Sequence, residues 1–551
     1  MLKLLLGRSG SGKTTKLREM VRDALHRSSE SSVFLIVPEQ ASFENERAML
    51  ELLGAEDAQK VHVLSFSRLA NEGFRRYGGG AGKRLDDGGR ILFMNLALSA
   101  VQDQLEFYRA SAAGGELASL LLDVSAELKM CEVSPEKLGK TAGRLPQGAL
   151  SRKLREVSLI LSAYDALVAR SFLDPLDDLT RVLPLLREHR FFQDAFVAVD
   201  SFAAFTVQEY QILRVILEQS RETVVSLCTD SLHDEDDGTG LFSLVKDTAR
   251  RLRALARESG VPVAVPEILP PGKRFHTSGL RLLEDNLYRA QRKTGEEQDC
   301  ACIYRAANIY EEASFVSATI RRLVMEQRFR YADFTVIARD SDAYAGILDR
   351  AFEERGIPHF MDQPQAIDDE PLMRFVLAAL QAVRSGLRTD DVLLYLKTGL
   401  AGLETEETAQ LENYVFLWNI SGSLWRQEWS AHPRGFGEEI ADEDEATLQA
   451  INELRRRAVE PLEELRHAVE TGTGETCARA LYHLLERTNA AEALKALAVR
   501  LEKAGRSDLA EREIRLWDLL MNILDQCAMV LQNTVLGCAR FTDLLRRVIA
   551  A

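Results

Sequence analysis

The sequence GRSGSGKT at residues 7–14 sets the expected fold, because its glycines, lysine and threonine have the spacing of a phosphate-binding P-loop. The apolar residues 2–6 precede it and are typical of a buried parallel strand. Residues 14–25 follow it and place apolar side chains on one face of a helix. Strand, glycine loop and helix therefore stand in the order that this motif requires.

The motif predicts a site for ATP or a similar nucleoside triphosphate with Mg²⁺. Its glycines let successive N–H groups point at phosphate oxygens, at a helix N-terminus whose dipole favours an anion. Lys13 would supply charge to the outer phosphates, and Thr14 would offer its hydroxyl to Mg²⁺. The alternative is a tight turn that merely joins strand to helix. The predicted cofactor-binding residues of the loop are Gly7, Arg8, Ser9, Gly10, Ser11, Gly12, Lys13 and Thr14.

Four further segments are short, apolar and rich in β-branched residues, as buried parallel strands are. They are residues 33–37, 61–65, 195–199 and 223–227. With the helices between them they predict a doubly wound α/β domain of RecA type, formed by residues 1–85 and 187–275. Residues 86–186 carry apolar residues at helical spacing and predict a helical insertion.

An acidic residue at the end of a neighbouring strand is expected to hold the metal's water shell. Asp200 ends the apolar run 195–199, so Thr14 and Asp200 are the predicted metal-binding residues. Ser201 stands where hydrolysing relatives of the motif carry a glutamate, and a serine is a poor general base. The chain is therefore expected to bind a nucleotide without hydrolysing it efficiently, and no catalytic residue is assigned. Glu209 is an alternative base, although its place in VQEYQIL favours a helix cap or a solvent-facing position.

Length and composition predict a multidomain globular protein. The 551 residues exceed what one hydrophobic core serves, and 46% hydrophobic and 28% charged residues are ordinary values. There is no apolar window long enough for a bilayer and no signal-peptide core, so we expect a cytoplasmic protein with no membrane role. The net charge of −15 argues against a surface coated with phosphate-binding cations but allows a local basic groove. The seven scattered cysteines form no C-x-x-C pair, so neither a disulfide framework nor a zinc site is implied.

Several segments together resemble the B subunit of the bacterial AddAB helicase–nuclease. They are GRSGSGKT (7–14), VPEQASFENE (37–46), VLSFSRLA (63–70), AVDSFAAFTVQE (198–209) and LENYVF (411–416), in this order and spacing. The resemblance runs through the whole chain, which looks like the N-terminal half of such a subunit. It implies a superfamily 1 helicase architecture in which the B subunit is not the main motor and forms a heterodimer with an A subunit.

The resemblance also implies a role in DNA repair. The complex resects double-strand breaks for recombination, and its B subunit scans the emerging single strand for a hotspot sequence, so single-stranded DNA and duplex ends are expected partners. The family's exonuclease domain is C-terminal and carries an iron–sulfur cluster. This sequence contains neither a carboxylate-rich nuclease motif nor a suitable cysteine quartet. Nuclease chemistry and the cluster are thus expected only in a C-terminal half outside this chain.

The second half of the chain fits the same plan. Residues 309–323 predict a helix, FTVIAR at residues 334–339 a strand, and residues 343–355 another helix. By resemblance, residues 276–380 begin a second RecA-like domain. Residues 381–551 predict a helical insertion in that domain. The chain is expected to end before this domain is complete and before the nuclease begins.

By the same resemblance, the segments after the second and third strands meet single-stranded DNA. Aromatic rings stack on bases, glutamine and serine read base edges, and arginine contacts phosphate or guanine. The alternative for the phenylalanines is a core position. The basic runs at 250–253 and 455–457 are expected on solvated helix faces. The candidate DNA-binding residues are Gln40, Ser42, Phe66, Arg68, Phe202 and Phe205.

The sequence is compatible with two functions. The first is an enzyme-complex subunit that works on DNA ends with its partner, with a weak ATPase of its own. The second is a non-catalytic scaffold, in which bound ATP stiffens a DNA-recognition module and all turnover occurs in the partner. The residue after Asp200 and the C-terminal half expected outside this chain discriminate between them. A small-molecule kinase is disfavoured, because no compact lid with clustered arginines follows the loop.

Overall fold

The computed structural model describes residues 1–27, 32–111, 116–170, 172–233, 240–270, 274–275, 277–288, 293–295, 300–361, 366–436 and 441–550. Within these residues the chain is a mixed α/β protein, mostly helical, with one six-stranded parallel sheet. The predicted α/β class is confirmed. None of the helices in these ranges is long and apolar enough to cross a membrane.

Strands β1, β2, β3, β6, β7 and β8 build the sheet, and β4 and β5 form a separate parallel pair. The four strands expected from the sequence after the glycine loop are confirmed as β2, β3, β6 and β7. The short β8 was not predicted. In chain order the strands are β1 (Leu2–Gly7), β2 (Val33–Ile36), β3 (Val61–Leu64), β4 (Lys83–Arg84), β5 (Phe172–Leu173), β6 (Phe196–Val199), β7 (Glu222–Cys228) and β8 (Glu267–Ile268).

The helices of the first half surround the sheet or leave it. They are α1 (Lys13–Arg27), α2 (Ser42–Ala58), α3 (Phe66–Tyr77), α4 (Asp87–Val101), α5 (Glu116–Met130), α6 (Pro135–Arg144), α7 (Ala149–Val168), α8 (Asp178–Glu188), α9 (Val207–Gln219), α10 (Ser243–Glu258) and α11 (Ser278–Asn286). Those of the second half are α12 (Ile309–Gln327), α13 (Leu348–Glu354), α14 (Pro371–Arg384), α15 (Thr389–Leu396), α16 (Thr405–Leu417), α17 (Asp442–Glu470), α18 (Gly474–Arg487), α19 (Ala490–Lys503), α20 (Ser507–Val530) and α21 (Cys538–Ala550).

The strands of the sheet run in the order β3-β2-β6-β7-β1-β8. Side chains alternate between its two faces, as strand geometry requires. Leu4 and Leu6 of β1 share a core with Ile212 of α9 and Leu252 of α10. Leu5, between them, packs in a second core with α1. Both faces of the sheet are therefore covered by helices, which explains why its strands are nearly all apolar.

The helices of the two predicted insertions share one hydrophobic core. Buried residues of α4, α5 and α7 belong to the same cluster as those of α14–α21. We call α4–α7 with α14–α21 the helical body. The sequence assigned these segments to insertions in two different domains, and that division of the chain stays a prediction. Helix α4 buries consecutive apolar residues, Ile91, Leu92, Phe93 and Met94, and a helix that is apolar all round is covered on all sides.

Contacts at α4 join the two halves of the helical body. Arg547 of α21 donates a 3.2 Å hydrogen bond to Asn95, and Arg540 donates one of 2.6 Å to Ser99. A Cβ at Gly88 would lie only 2.6 Å from Val548 Cγ1. The start of α4 thus approaches α21 so closely that a glycine is required there.

The strand predicted at residues 334–339 is wrong. Residues 334–338 belong to no strand or helix, and Ile337 is 89% exposed. They line an open groove of about 930 Å³ with Phe352 of α13. The predicted helix at 309–323 is confirmed by α12, whereas of the helix predicted at 343–355 only α13 is α-helical. The start of a second RecA-like domain stays a prediction.

The expectation that residues 455–457 form a solvated face is wrong for Arg455. Its side chain is buried and donates hydrogen bonds to Trp425 O at 2.9 Å and Asn452 Oδ1 at 3.2 Å. Arg456 and Arg457 are more exposed and pair with carboxylates of their surroundings. Sequence spacing did not distinguish the three arginines, because Arg455 is covered by the segment around Trp425, which lies outside α17.

A buried charge cluster fixes α5 against the segment before α8. Lys129 Nζ lies 2.9 Å from Asp174 Oδ2 and 2.7 Å from Asp177 Oδ2. Tyr164 donates a further hydrogen bond of 3.3 Å to Asp174. Burial opposes ionisation of Asp174, but the Lys129 ammonium, with help from the Leu176 N–H and Arg90, outweighs it and holds the pKa of Asp174 below its ordinary value. Lys129 is the closest cation to Asp174, and the Arg90 guanidinium lies 3.8 Å from its other oxygen.

Replacing Lys129 with methionine should destabilise the helical body by about 3 kcal/mol at neutral pH, because the buried Asp174 loses its closest cation and keeps only Arg90, 3.8 Å away. The folded pKa of Asp174 is depressed, so its contribution is present above the unfolded value and is lost as pH falls through the folded value. The difference in the free energy of unfolding between the parent and the variant should therefore shrink below about pH 4.

Urea unfolding followed by tryptophan fluorescence measures this effect, since all four tryptophans lie at residues 418–517. Lys60→Met is the control, because Lys60 pairs with Asp57 on an exposed surface. Equal midpoints for the two variants would show that the Lys129 cluster does not hold the body together.

Candidate functional site

The loop between β1 and α1 depends on its glycines. Gly10 and Gly12 have φ values of 74° and 88°, in the left-handed region that favours glycine. A Cβ at Gly7 would collide with the Ser11 hydroxyl, which lies beneath it. The loop therefore curls so tightly that its backbone, rather than its side chains, faces the space at the start of α1.

Lys13 crosses the mouth of this loop. Its Nζ donates hydrogen bonds to Gly7 O at 2.8 Å and Arg8 O at 2.9 Å. An ammonium has three donors, so one remains for a ligand. Helix α1 has no acidic residue in its first turn. The positive end of its dipole is thus not neutralised from within the helix, and the site favours an anion.

Asp200 follows β6 directly and faces the loop from the other side of β7. It is 3% exposed, and its backbone N–H donates to Ile36 O at 3.0 Å. Ser226 of β7 donates its hydroxyl to Asp200 Oδ1. Asp200 Oδ2 is buried and has no hydrogen-bond partner within the described chain. Buried polar atoms are normally partnered, so this oxygen is a candidate ligand for a cation.

These groups meet in a cavity of about 520 Å³ at the carboxyl edge of the sheet. It combines backbone N–H groups, two cationic side chains and one buried carboxylate, a set that suits a polyphosphate with a divalent cation. The predicted residues Gly7, Arg8 and Ser11 are absent from its lining. The lining residues are Ser9, Gly10, Gly12, Lys13, Thr14, Thr15, Asp200, Ser201, Phe202, Ala203, Ser226, Cys228 and Arg274.

Sequence reasoning missed Arg274 and Ser226. Ser226 lies inside a strand that was predicted, but only its pairing with β6 shows that it meets Asp200. Arg274 follows the short β8, and nothing in its sequence spacing connects it to the loop. Proximity between residues far apart in the chain was the missing signal in both cases.

The Arg8 side chain turns away from the cavity. Its Nε lies 2.7 Å from Glu284 Oε1 and its Nη1 3.2 Å from Asp230 Oδ2. The guanidinium also lies 5.3 Å from the centre of the Phe242 ring. Burial alone would lower the pKa of Arg8, but the two carboxylates outweigh it and raise that pKa. Arg8 thus ties the loop to α11 and to the segments that flank α10.

Ser201 and Glu209 occupy different places. Ser201 has a φ of 68° and lines the cavity. Glu209 instead accepts a 2.7 Å hydrogen bond from Thr206 N, while its own N–H donates to Thr206 Oγ1 at 3.2 Å. This reciprocal pair is a capping box, so the expectation that Glu209 caps a helix is confirmed.

The predicted DNA-binding phenylalanines pack on one another. Phe66 is 5% and Phe205 8% exposed, and the Phe202 ring lies 5.6 Å and 4.9 Å from their respective centroids. Phe66 and Phe205 are therefore core residues in this arrangement, while Phe202 lies at the edge of the cluster. Their role toward DNA stays a prediction.

The other DNA candidates lie on the neighbouring segment. Gln40 is exposed, whereas Ser42 is 1% exposed and donates to Pro38 O at 3.4 Å. Arg68 lies 2.5 Å from Glu46 Oε1 and 3.7 Å from Glu39 Oε1. A ligand of Arg68 would have to compete with these carboxylates. Glu39 itself accepts hydrogen bonds from Ser65 and Ser67, the first being the main reason why its pKa is lowered.

The fold and the cavity define a class, the parallel α/β proteins with a glycine-loop anion site at the carboxyl edge of the sheet. The family model described as "ADDB, N-terminal" matches residues 4–284. The chain belongs to this family, and the resemblance noted from its motifs is confirmed.

Three relatives are named as the B subunit of an ATP-dependent helicase/deoxyribonuclease. The protein of Clostridium tetani is 28% identical over 99% of this chain and 49% of its own length. That of Acetivibrio thermocellus is 29% identical over 99% of this chain and 48% of its own length. That of Caldanaerobacter subterraneus subsp. tengcongensis is 28% identical with the same coverage as the second. The chain spans about half the length of these relatives.

Replacing Glu209 with alanine should lower stability by about 1 kcal/mol, because the start of α9 loses half of its capping box. Thermal unfolding measures the change. Glu127→Ala is the matched control, since Glu127 is exposed in α5, well beyond the first turn of that helix. A Glu209 variant as stable as the control would contradict a capping role.

Proposed function

We propose that the chain binds ATP or a similar nucleoside triphosphate together with Mg²⁺, in a RecA-like P-loop domain of superfamily 1 helicase type. The unpartnered, buried Asp200 Oδ2 beside the start of α1 is the observation that carries this proposal. A helix N-terminus alone is a general anion site, but a buried carboxylate facing it requires a cation. An anion that carries a divalent cation satisfies both groups, because the helix N-terminus receives the anion and the carboxylate receives the cation.

In this proposal, different groups of the chain bind the phosphates and the Mg²⁺ ion. The loop N–H groups and the remaining donor of Lys13 bind phosphate oxygens, and the Gly7 and Arg8 carbonyls hold Lys13 in place. The Thr14 hydroxyl and Asp200 hold Mg²⁺ directly or through water. Ser226 orients Asp200 by donating to its other oxygen. Bound Mg²⁺ would neutralise part of the phosphate charge.

Turnover at this site is proposed to be slow. Of the described residues that line the cavity, Asp200 alone carries a carboxylate, and it is committed to the cation. Ser201 cannot accept a proton near neutral pH without help. Glu209 is engaged in its capping box. A tightly held nucleotide without an efficient base acts chiefly as a structural ligand.

The relatives' name leads to the wider proposal. We infer that the chain is part of the B subunit of a cytoplasmic helicase–exonuclease that resects double-strand breaks, paired with an A subunit. The nuclease domain and its iron–sulfur cluster would belong to the half of the relatives that this chain does not match. Nuclease activity is thus proposed for the complex and not for this chain.

Contact with single-stranded DNA is proposed at the carboxyl ends of β2, β3 and β6. Phe202 lies at the edge of its aromatic cluster and faces both the 520 Å³ cavity and a neighbouring cavity of about 440 Å³. Gln40 and Arg68 are also accessible. Ser42, Phe66 and Phe205 lie beneath this surface and would support it. Because Phe202 touches both cavities, nucleotide and DNA binding would be linked.

The alternative is a non-catalytic, nucleotide-gated scaffold with all turnover in the partner. Ser201 favours it, because the cavity lining contains no second carboxylate among the described residues. Both functions share the nucleotide site and differ only in hydrolysis. Separate measurements of binding and of turnover therefore distinguish them.

Lys13→Ala should weaken ATP binding by about 10- to 100-fold, because the phosphates lose a charge-assisted hydrogen bond. Titration with a fluorescent ATP analogue and Mg²⁺ measures the dissociation constant. Lys16→Ala is the control, since Lys16 lies one turn further along α1 and does not line the cavity. Parent-like affinity in the Lys13 variant would show that this cavity is not the nucleotide site.

Ser201→Glu should accelerate hydrolysis of bound ATP by about tenfold or more, because it supplies the missing general base. The parent is expected to turn over very slowly. Ser201→Gln is the matched control, with similar size and no base, and all three side chains share the cost of the left-handed backbone.

Single-turnover hydrolysis should be measured in the complex with the A subunit, whose own ATP site is disabled, with and without single-stranded DNA. Brisk DNA-stimulated hydrolysis by the parent would refute the uncoupling and point to another carboxylate as the base.

A further inference from the structure

Arg274 and Phe275, which follow β8 in the chain, lie directly against Gly10 of the glycine loop. A Cβ at Gly10 would lie 2.8 Å from Arg274 Cβ and 3.5 Å from the Phe275 ring. Arg274 also lines the cavity, together with Lys13 and Asp200. Arg274 thus forms a wall of the cavity that belongs neither to the loop nor to a strand end.

Helix α11 holds this wall in place. Arg281 of α11 donates a 2.8 Å hydrogen bond to Phe275 O, next to Arg274. Glu284, on the same helix, receives the Arg8 guanidinium on its carboxylate at 2.7 Å and on its backbone carbonyl. Arg8 is 11% exposed, so this contact is well shielded from solvent. We call this Arg8–Glu284 contact the clasp. Through it, Arg8 of the loop fixes α11, the helix that positions Arg274.

Lys13 alone does not exhaust the phosphate-binding capacity of the cavity, which leaves a role for Arg274, the second cationic side chain in its lining. Lys13 has committed two of its three donors to the loop carbonyls. The first phosphate groups can be held by the N–H groups at the start of α1. Arg274 approaches from Gly10, on the other side of the loop, and a guanidinium presents a planar fork that matches two phosphate oxygens.

We propose that Arg274 binds the outermost phosphate of the nucleotide and makes the site prefer a triphosphate over a diphosphate. The Arg8–Glu284 contact is a positioning device for it. This proposal rests on the proposed nucleotide-binding function and adds to it the recognition of phosphate number. It also makes α11, which leads toward the second half of the chain, the element that responds to the terminal phosphate.

The test compares dissociation constants for ATP and ADP in the full chain, with Mg²⁺. Arg274→Gln should weaken ATP by about tenfold and ADP by less than about threefold, because only the triphosphate reaches the lost guanidinium. Arg274→Lys should restore the preference only in part, since it returns the charge but not the planar fork. Arg305→Gln, at an exposed position outside the cavity, should change neither constant.

Glu284→Gln tests the clasp without touching the cavity lining. It should reduce the ratio of ADP to ATP dissociation constants in the same direction as Arg274→Gln, and by a smaller factor. A ratio equal to that of the parent would overturn the positioning role of the clasp.

The outcomes distinguish this proposal from the function on which it rests. If Lys13→Ala abolishes binding while Arg274→Gln leaves the ratio unchanged, the nucleotide site stands and the role of Arg274 is refuted. Equal weakening of ATP and ADP by Arg274→Gln would also refute recognition of the outer phosphate. Unchanged ATP binding in Lys13→Ala would refute both.

Discussion

The parallel insertion of β7 between β1 and β6 is the constraint on which the candidate site depends. Leu5 pairs with Ser226, and Val199 pairs with Val225, so β1 and β6 end at the same edge of the sheet with one strand between them. Neighbouring strands lie about 4.8 Å apart, which places the glycine loop and Asp200 roughly 10 Å from each other. Under the proposed function this gap would take the phosphate groups and the cation, and Ser226 on the intervening strand holds Asp200 in position.

The helical body places a second constraint on the molecule. Helix α4 follows α3 closely in the chain, yet its apolar surface is covered by α20 and α21, more than 400 residues later. A shift of α20 or α21 must therefore be accommodated at α4. The glycine at position 88 and the polar contacts of Arg540 and Arg547 leave little freedom there. The two halves of the chain are coupled by this packing.

Local sequence patterns were sufficient to predict those features whose residues lie close together in the sequence. The loop at 7–14, four strands and the capping role of Glu209 follow from residue type, periodicity and neighbours within a few positions. It failed at FTVIAR, because an apolar β-branched run becomes a strand only if another strand pairs with it. It failed at Arg455, because the atoms that satisfy that guanidinium come from the segment around Trp425.

The sequence by itself determined the class of fold, the family and the glycine loop, since strand alternation, helical spacing and glycine conformational freedom are properties of short segments. Only the tertiary structure decided that Ser226 supports Asp200, that Arg8 binds Glu284 and turns away from the cavity, and that Arg274 closes it. It also decided that two distant helical segments form one core. These features depend on contacts between residues far apart in the chain, and such contacts are set by strand order and helix packing rather than by local propensity.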